Sequence, residues 1–231
     1  MATPHRALRT PTAPAPRPPC PPFPSLVPPP GADEPRPTAA AVLDELLAGN
    51  ARSTGGLPRQ PYLRPTGRRP CAVVIGCVDA PVPPELVLDQ PLGDLLCVRT
   101  AGLVLDEAVL ASVQYGVQEL GAPLVLVLGH ERCAAVAATL ERLRTGAPVP
   151  GHLELLVEEI APAARRTRNR PGDWAEHTLR AQTTWVRDAI RADPAFGAAR
   201  VVAARVDAGP GLVSLLEAPP RGHSESALSP P

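Results

Sequence analysis

The chain has no lysine, no net charge and no long hydrophobic run. All 23 of its basic residues are arginine, and they balance 23 Asp and Glu residues. A protein that binds nucleic acid through charge carries a strongly basic balance, so we expect no nucleic-acid partner. The longest apolar stretch, near Leu124–Leu128, is far shorter than the roughly 20 residues of a membrane helix, so we also expect no membrane span.

The sequence lacks the features of a secreted protein as well. Arg6 and Arg9 are not followed by a continuous apolar run, so no secretory signal is predicted. Five cysteines form an odd set, which argues against a framework of disulfides. We therefore expect a reduced, cytoplasmic protein whose cysteines are small buried side chains or metal ligands.

Proline is abundant but unevenly distributed. Fourteen of the 33 prolines lie in residues 1–40. Because proline fixes φ and has no backbone donor, we predict a disordered, Pro-rich tail over residues 1–37. A similar tail is predicted over 218–231. The N-terminal tail is interpreted as a spacer or, alternatively, as a docking segment for a partner. One folded domain is expected over 38–217.

Within that domain, apolar strands alternate with amphipathic helices. Short apolar runs at 72–76 and 123–128 are typical of strands buried on both faces. Further strands are predicted at 94–99, 201–206 and 212–216, a loop at 51–70, and helices at 39–47, 106–121, 133–143, 153–166 (with a kink or break at Pro162) and 173–191. This alternation predicts an α/β fold with a mainly parallel central sheet flanked by helices.

Metal-ligating side chains follow two of the predicted strands. Cys77 and Asp79 come at the end of the first strand, and His130 and Cys133 come at the end of the strand at 123–128. Parallel sheets bind ligands at the carboxyl ends of their strands. Two thiolates and one imidazole suit zinc, and three protein ligands leave a fourth position open for water or substrate.

The competing interpretation is that these cysteines are small buried apolar side chains. We apply that interpretation to Cys71 and Cys97, which lie within apolar runs, and we assign no role to Cys20 in the tail. For Cys77 with His130 and Cys133, residue type and position leave both interpretations open.

The same segments resemble the β-class carbonic anhydrase family. Cys77-Val78-Asp79 matches the start of that family's Cys-x-Asp-Ser-Arg, and His130-Glu131-Arg132-Cys133 matches its His-x-x-Cys. Leu-Leu-Ala-Gly-Asn-Ala-Arg at 46–52 and Ala-Ser-Val-Gln-Tyr at 111–115 resemble two further family motifs. The resemblance extends from about residue 40 to 217.

This resemblance implies a function and a set of site residues. It implies one Zn²⁺ per chain, held by Cys77, His130 and Cys133, and the reversible hydration of carbon dioxide to bicarbonate. It implies that Asp79 accepts a hydrogen bond from the attacking hydroxide and orients it. It also implies a homodimer or a larger even oligomer, in which the N-terminal helix wraps the partner. We expect such an assembly for a second reason, since a helix at 39–47 has little of its own chain to pack on.

The chain departs from the family pattern beside Asp79. The family's Ser-Arg is replaced by Ala80-Pro81, so the arginine that pairs with the aspartate is missing. An arginine holds a carboxylate by two charge-assisted bonds, and proline cannot replace it. We therefore predict that Asp79 rotates onto the metal's fourth position at neutral pH or below, unless another cation such as Arg132 restrains it.

Three functional hypotheses follow from this departure. The first is a carbonic anhydrase, slowed by the missing arginine. The second is a catalytically impaired zinc-binding homologue with a structural or regulatory role. The third is a hydrolase of carbon disulfide or carbonyl sulfide, which relatives of the family hydrolyse.

Overall fold

A computed structural model describes residues 36–57, 69–79 and 83–216 of the chain. Both predicted tails lie outside the described residues, apart from positions 36 and 37. Most of the predicted loop at 51–70 lies outside them too, as do Ala80 and Pro81.

The described residues form one five-stranded sheet with the strand order β2-β1-β3-β4-β5. Its first four strands are parallel, and β5 is antiparallel to β4. The strands are β1 (Ala72–Cys77), β2 (Leu95–Thr100), β3 (Leu124–His130), β4 (Arg200–Val206) and β5 (Val213–Leu215). This confirms the predicted α/β class, with a mainly parallel sheet.

Three of the six helices in the described residues begin at a side chain that accepts a hydrogen bond from a free backbone amide. Asp106 accepts a hydrogen bond from Val109 N at 2.8 Å, and Asp173 accepts one from Ala175 N at 2.8 Å. The helices are α1 (Ala39–Thr54), α2 (Pro84–Val87), α3 (Glu107–Gln114), α4 (Ala134–Thr145), α5 (Glu154–Thr167) and α6 (Trp174–Ala192). A π-helical segment, Tyr115–Glu119, follows α3. No helix in the described ranges combines the length and the apolar character needed to cross a membrane.

The structure differs from the sequence-based expectations at three places. Helix α1 continues to Thr54, into the predicted loop, because Ser53 donates to Leu86 O and Arg52 pairs with Asp89. The four-residue helix α2 was not predicted, since a segment this short carries no clear periodicity. Helix α5 passes through Pro162 without a break, because its neighbouring residues are buried against α4 and α6.

Two apolar clusters cover the two faces of the sheet. Helices α3 to α6 cover one face, and α1 and α2 cover the other. Val42, Leu43 and Leu46 of α1 are buried against this chain's own strands. The expectation that α1 has little of its own chain to pack on was therefore wrong, because its apolar face packs on the sheet formed by the strands that come after it.

Asn50 fastens the end of α1 to two other parts of the fold. Its amide nitrogen donates to Val87 O at 3.0 Å and to Gly211 O at 2.8 Å, and its oxygen accepts from Val213 N at 2.8 Å. The side chain is buried, so every bond replaces one that water would otherwise make. Helix α1 is thereby joined to α2 and to the β4–β5 turn.

Candidate metal centre

The two predicted strand ends meet in the fold. Cys77 ends β1 and His130 ends β3, and these strands are parallel neighbours. Cys133 lies three residues beyond His130, directly before α4. The ligand atoms of Cys77, His130 and Cys133 all lie within 4.8 Å of one another, and the two sulfur atoms are 3.8 Å apart. All three side chains are buried.

The orientation of His130 fits a metal ligand. Its Nδ1 lies 3.0 Å from the carbonyl oxygen of Glu131, and an Nδ1–H donor there leaves Nε2 as a bare acceptor. Nε2 is buried and has no hydrogen-bond partner in the described part of the chain. A buried polar atom without a partner is costly, and a metal ion satisfies it. Two sulfurs and this nitrogen make a donor set that fits zinc.

The environment of the cluster favours a thiolate at Cys77. The pKa of Cys77 lies well below its ordinary value, because its sulfur is hydrogen-bonded to Cys133 and lies close to His130 and to two amide donors. Those amides are Gly102 N at 3.3 Å and Asp79 N at 3.4 Å. The same bond to Cys77, together with burial, raises the pKa of Cys133. The surroundings of the cluster therefore favour negative charge on the Cys77 sulfur.

The protonation of His130 reflects two opposing effects. Burial lowers the pKa of His130, but the close sulfur of Cys77 and its negative charge outweigh burial and raise it.

Asp79 lies beside the cluster, on its more exposed side. Its Oδ2 is 4.0 Å from Nε2 of His130, and the side chain is 40% exposed. The same oxygen accepts a hydrogen bond from the amide of Ala134 at 2.6 Å. No arginine among the described residues, Arg132 included, forms an ion pair with Asp79. The predicted roles of Asp79, in catalysis and as a metal ligand, stay predictions; its carboxylate lies beside the cluster.

The contact between Ala134 and Asp79 was not among the sequence-based predictions. Ala134 is the first residue of α4, and the first amides of a helix have no acceptor within the helix. The helix start was predicted at Cys133, so the free amide could have been anticipated. Its closeness to Asp79, across 55 residues of sequence, depends on how β1 and β3 pair.

An ion-pair network supports the segment that carries His130. Arg205 is buried at the end of β4 and pairs with Glu176 at 2.6 Å, with Glu131 at 3.6 Å and with Asp207. Glu131 also accepts from Ala208 N at 3.1 Å, and its own amide donates to Val206 O at 3.0 Å.

These contacts fix the Glu131 carbonyl that orients the imidazole of His130. This support could not be predicted from residue order, because the residues that form it come from three separate parts of the fold.

The other described cysteines lie outside the cluster. Cys97 donates to Oε1 of Glu85 at 3.4 Å, and burial, aided by that carboxylate, raises the pKa of Cys97 to about 12. Cys71 is partly buried, as expected for a structural thiol. Cys20 lies outside the described residues.

Comparison with known families agrees with this site. A sequence model of the family described as carbonic anhydrase matches residues 72–208, a range that contains all three clustered residues and Asp79. The chain belongs to the β-carbonic anhydrase family.

Similar curated proteins carry the same family name. The chain is 40% identical over 136 residues to carbonic anhydrase 2 of Mycobacterium tuberculosis, covering 56% of this chain and 66% of that protein. It is 43% identical over 136 residues to a carbonic anhydrase of Mycolicibacterium smegmatis, with the same two coverages. The chain thus spans just under two thirds of the length of these relatives.

Solved structures of β-carbonic anhydrases share the fold. Two tetrameric enzymes from Sordaria macrospora are represented by a chain with a TM-score of 0.59 and 18% identity, covering 78% of this chain and 95% of that one. The Coccomyxa enzyme in complex with acetazolamide gives a TM-score of 0.58 at 19% identity, covering 76% and 81%. At these identities the likeness establishes the α/β fold alone.

Proposed function

We propose that this protein is a zinc-dependent carbonic anhydrase, which catalyses the reversible hydration of carbon dioxide to bicarbonate. The observation that carries the proposal is the cluster of Cys77, His130 and Cys133, whose ligand atoms lie within 4.8 Å in a member of this family. One Zn²⁺ per chain would be held by two thiolates and Nε2 of His130.

Zinc supplies activation of water at neutral pH, by lowering the pKa of a water molecule that it holds to about 7. The residues of the chain surround, orient and stabilise the ligands. Burial of the three ligands keeps bulk water away from their donor atoms, and the Glu131 carbonyl keeps Nε2 of His130 pointed at the cluster. The amides of Gly102 and Asp79 stabilise negative charge on the Cys77 sulfur.

Asp79 is the residue that we propose to orient the nucleophile. A carboxylate beside the cluster accepts a hydrogen bond from a hydroxide or water and points its lone pair at carbon dioxide. The Ala134 amide holds Oδ2 in that region, and the 40% exposure of the side chain leaves it a path to exchange protons with solvent.

One observation favours a second candidate, an impaired zinc-binding homologue. The Oδ2 atom of Asp79 is only 4.0 Å from Nε2 of His130, and no arginine in the described ranges pairs with it. A carboxylate this close is attracted by the charge of a bound metal and competes for its fourth position. In that state the protein would keep zinc but hydrate carbon dioxide slowly near neutral pH.

We also propose a cytoplasmic homodimer or larger even oligomer that acts on a small-molecule substrate. The support is family membership, together with the solved S. macrospora relatives, which are described as tetrameric.

The decisive experiment is stopped-flow hydration of carbon dioxide by the zinc-loaded protein, from about pH 6.5 to about pH 9. A carbonic anhydrase gives a rate above buffer that is lost in a Cys133→Ser variant, which lacks one ligand. Activity that appears only above neutrality favours Asp79 on the metal at lower pH. Zinc-loaded protein that is inactive throughout this range contradicts the proposal, and turnover of carbonyl sulfide instead would support the alternative substrate.

A further inference from the structure

Arg99 reaches the metal-ligating segment from the neighbouring strand. Arg99 is the penultimate residue of β2 and is paired in register with Gly76 of β1. Its Nε and Nη2 atoms both donate to the carbonyl oxygen of Cys77, at 3.0 and 2.9 Å, and Nη2 lies 3.3 Å from the carbonyl oxygen of Val78. One guanidinium therefore holds two successive peptide groups of the segment that leads to Asp79.

The side chain and the backbone carbonyl of Cys77 contact groups on opposite faces of the sheet. Its sulfur belongs to the face covered by α3 to α6. Arg99 lies two residues after Cys97 in β2, so both side chains are on the same face of the sheet, and Cys97 packs on the face opposite the Cys77 sulfur, beneath α1 and α2. Arg99 thus fixes the Cys77 backbone without occupying any of the space around the metal ligands. Its Cγ lies 3.8 Å from the point where a Cβ on Gly76 would stand, so the lack of a side chain at Gly76 leaves room for the arginine stem.

We propose that Arg99 is a positioning residue for the metal centre, which restrains Cys77 and Asp79 through their backbone in a chain that has no arginine at position 81. This inference rests on the proposed zinc site. The physical basis is the fork of guanidinium donors, which binds one carbonyl through two N–H groups and limits rotation of the peptide. Side chains that orient metal ligands in this way typically change metal affinity 10- to 100-fold when they are removed.

The test measures transfer of zinc from the protein to a chromogenic chelator. Arg99→Met keeps the stem and removes the donors, and we expect it to release zinc about tenfold faster than the parent. Arg99→Lys keeps the charge but not the fork, and its release should lie between the two. Arg200→Met, at the opposite end of the sheet, should match the parent. The visible spectrum of Co²⁺-loaded Arg99→Met should also shift, because the ligand geometry changes.

A variant that is destabilised elsewhere in the fold distinguishes a positioning role of Arg99 from a purely structural one. Asn50→Ala removes the buried bonds of α1, and we expect it to lower the free energy of unfolding while zinc release stays at the parent rate. The proposal is wrong if Arg99→Met releases zinc at a rate within about twofold of the parent rate. It is also wrong if Arg99→Met releases zinc no faster than Asn50→Ala does.

The outcome is independent of catalysis. A parent that holds zinc but does not hydrate carbon dioxide contradicts the proposed activity and leaves the Arg99 result standing. If the parent takes up no zinc, the proposed function fails, and amide hydrogen exchange over residues 77–79 decides the role of Arg99. Faster exchange in Arg99→Met supports it, and unchanged exchange overturns it.

Discussion

The Asp79 carboxylate is held by the backbone amide of Ala134, with 2.6 Å between Oδ2 and N. This amide is the first of α4, where the helix has free donors and the positive end of its dipole. Such a helix end stabilises an exposed carboxylate by about 0.3–1 kcal/mol. The amide donates one hydrogen bond, whereas the fork of an arginine donates two and carries a full positive charge, so Ala134 restrains Asp79 less than the missing side chain would.

Restoring the arginine should therefore raise activity. We expect the double variant Ala80→Ser, Pro81→Arg to hydrate carbon dioxide about tenfold faster than the parent near pH 7, because the arginine draws Asp79 away from the metal. The gain should shrink as the pH rises, since hydroxide then competes better for the metal. Stopped-flow hydration across this range measures both effects. Ala80→Ser alone is the control, because it adds no cation. A parent that already equals the double variant near pH 7 would show that Asp79 never blocks the metal.

The metal centre should bind one zinc per chain. Cys77→Ser, His130→Ala and Cys133→Ser should each lose most of it, because each removes one of the three donors grouped within 4.8 Å. Elemental analysis of dialysed protein gives the stoichiometry. Cys97→Ala is the matched control, since its thiol bonds to Glu85 and lies outside the cluster. Full zinc content in Cys77→Ser would rule out this ligand set.

Asn50→Ala should destabilise the fold by about 2–3 kcal/mol, because it leaves buried groups such as the Val213 amide without a partner. Urea unfolding followed by circular dichroism measures the free energy. Asp44→Ala, on the exposed side of the same helix, should change it by less than about 0.5 kcal/mol. Equal effects of the two substitutions would contradict a role for Asn50 in fastening α1.

Alkaline pH should weaken the fold through Cys97. Its pKa is about 12 in the folded chain against an ordinary value of 9.0, so above pH 9.0 the unfolded chain releases a proton that the folded chain keeps. Stability contributed by the neutral thiol is thus complete below pH 9.0 and falls as the pH rises towards 12. Between about pH 8 and about pH 10, the parent should lose about 1 kcal/mol more than Cys97→Ala. Parallel losses in the two proteins, measured by urea unfolding, would argue against this.

The intact chain should be a dimer or a larger even assembly. Light scattering should give an even multiple of 24.2 kDa, and a chain lacking residues 1–37 should keep both its assembly and its zinc. Removing residues 38–50 should cause aggregation, because it uncovers the sheet face on which Val42, Leu43 and Leu46 pack. A monodisperse 24.2 kDa species for the intact chain would contradict the assembly.

Some features of the site could be predicted from residue order because they are local. Cys77 follows an apolar run that is buried along its whole length, and His130 follows another. Asp106 and Asp173 begin helices because their side chains accept from amides two or three residues ahead. The end of α1 could not be predicted in this way, because it depends on bonds between distant segments, such as the bond from Ser53 to Leu86 O. Helix α2 was missed because its four residues have no clear periodicity.

The sequence by itself determined the class of fold, the position of Cys77 and His130 at strand ends and the proline at position 81, because each follows from local periodicity or from residue identity. Only the tertiary structure decided what surrounds them. The pairing of β1 with β2 sets Arg99 against the Cys77 carbonyl, and the pairing of β1 with β3 places the Ala134 amide against Asp79. Such contacts join residues far apart in the chain, so their formation depends on strand register and helix placement, which no short stretch of sequence encodes.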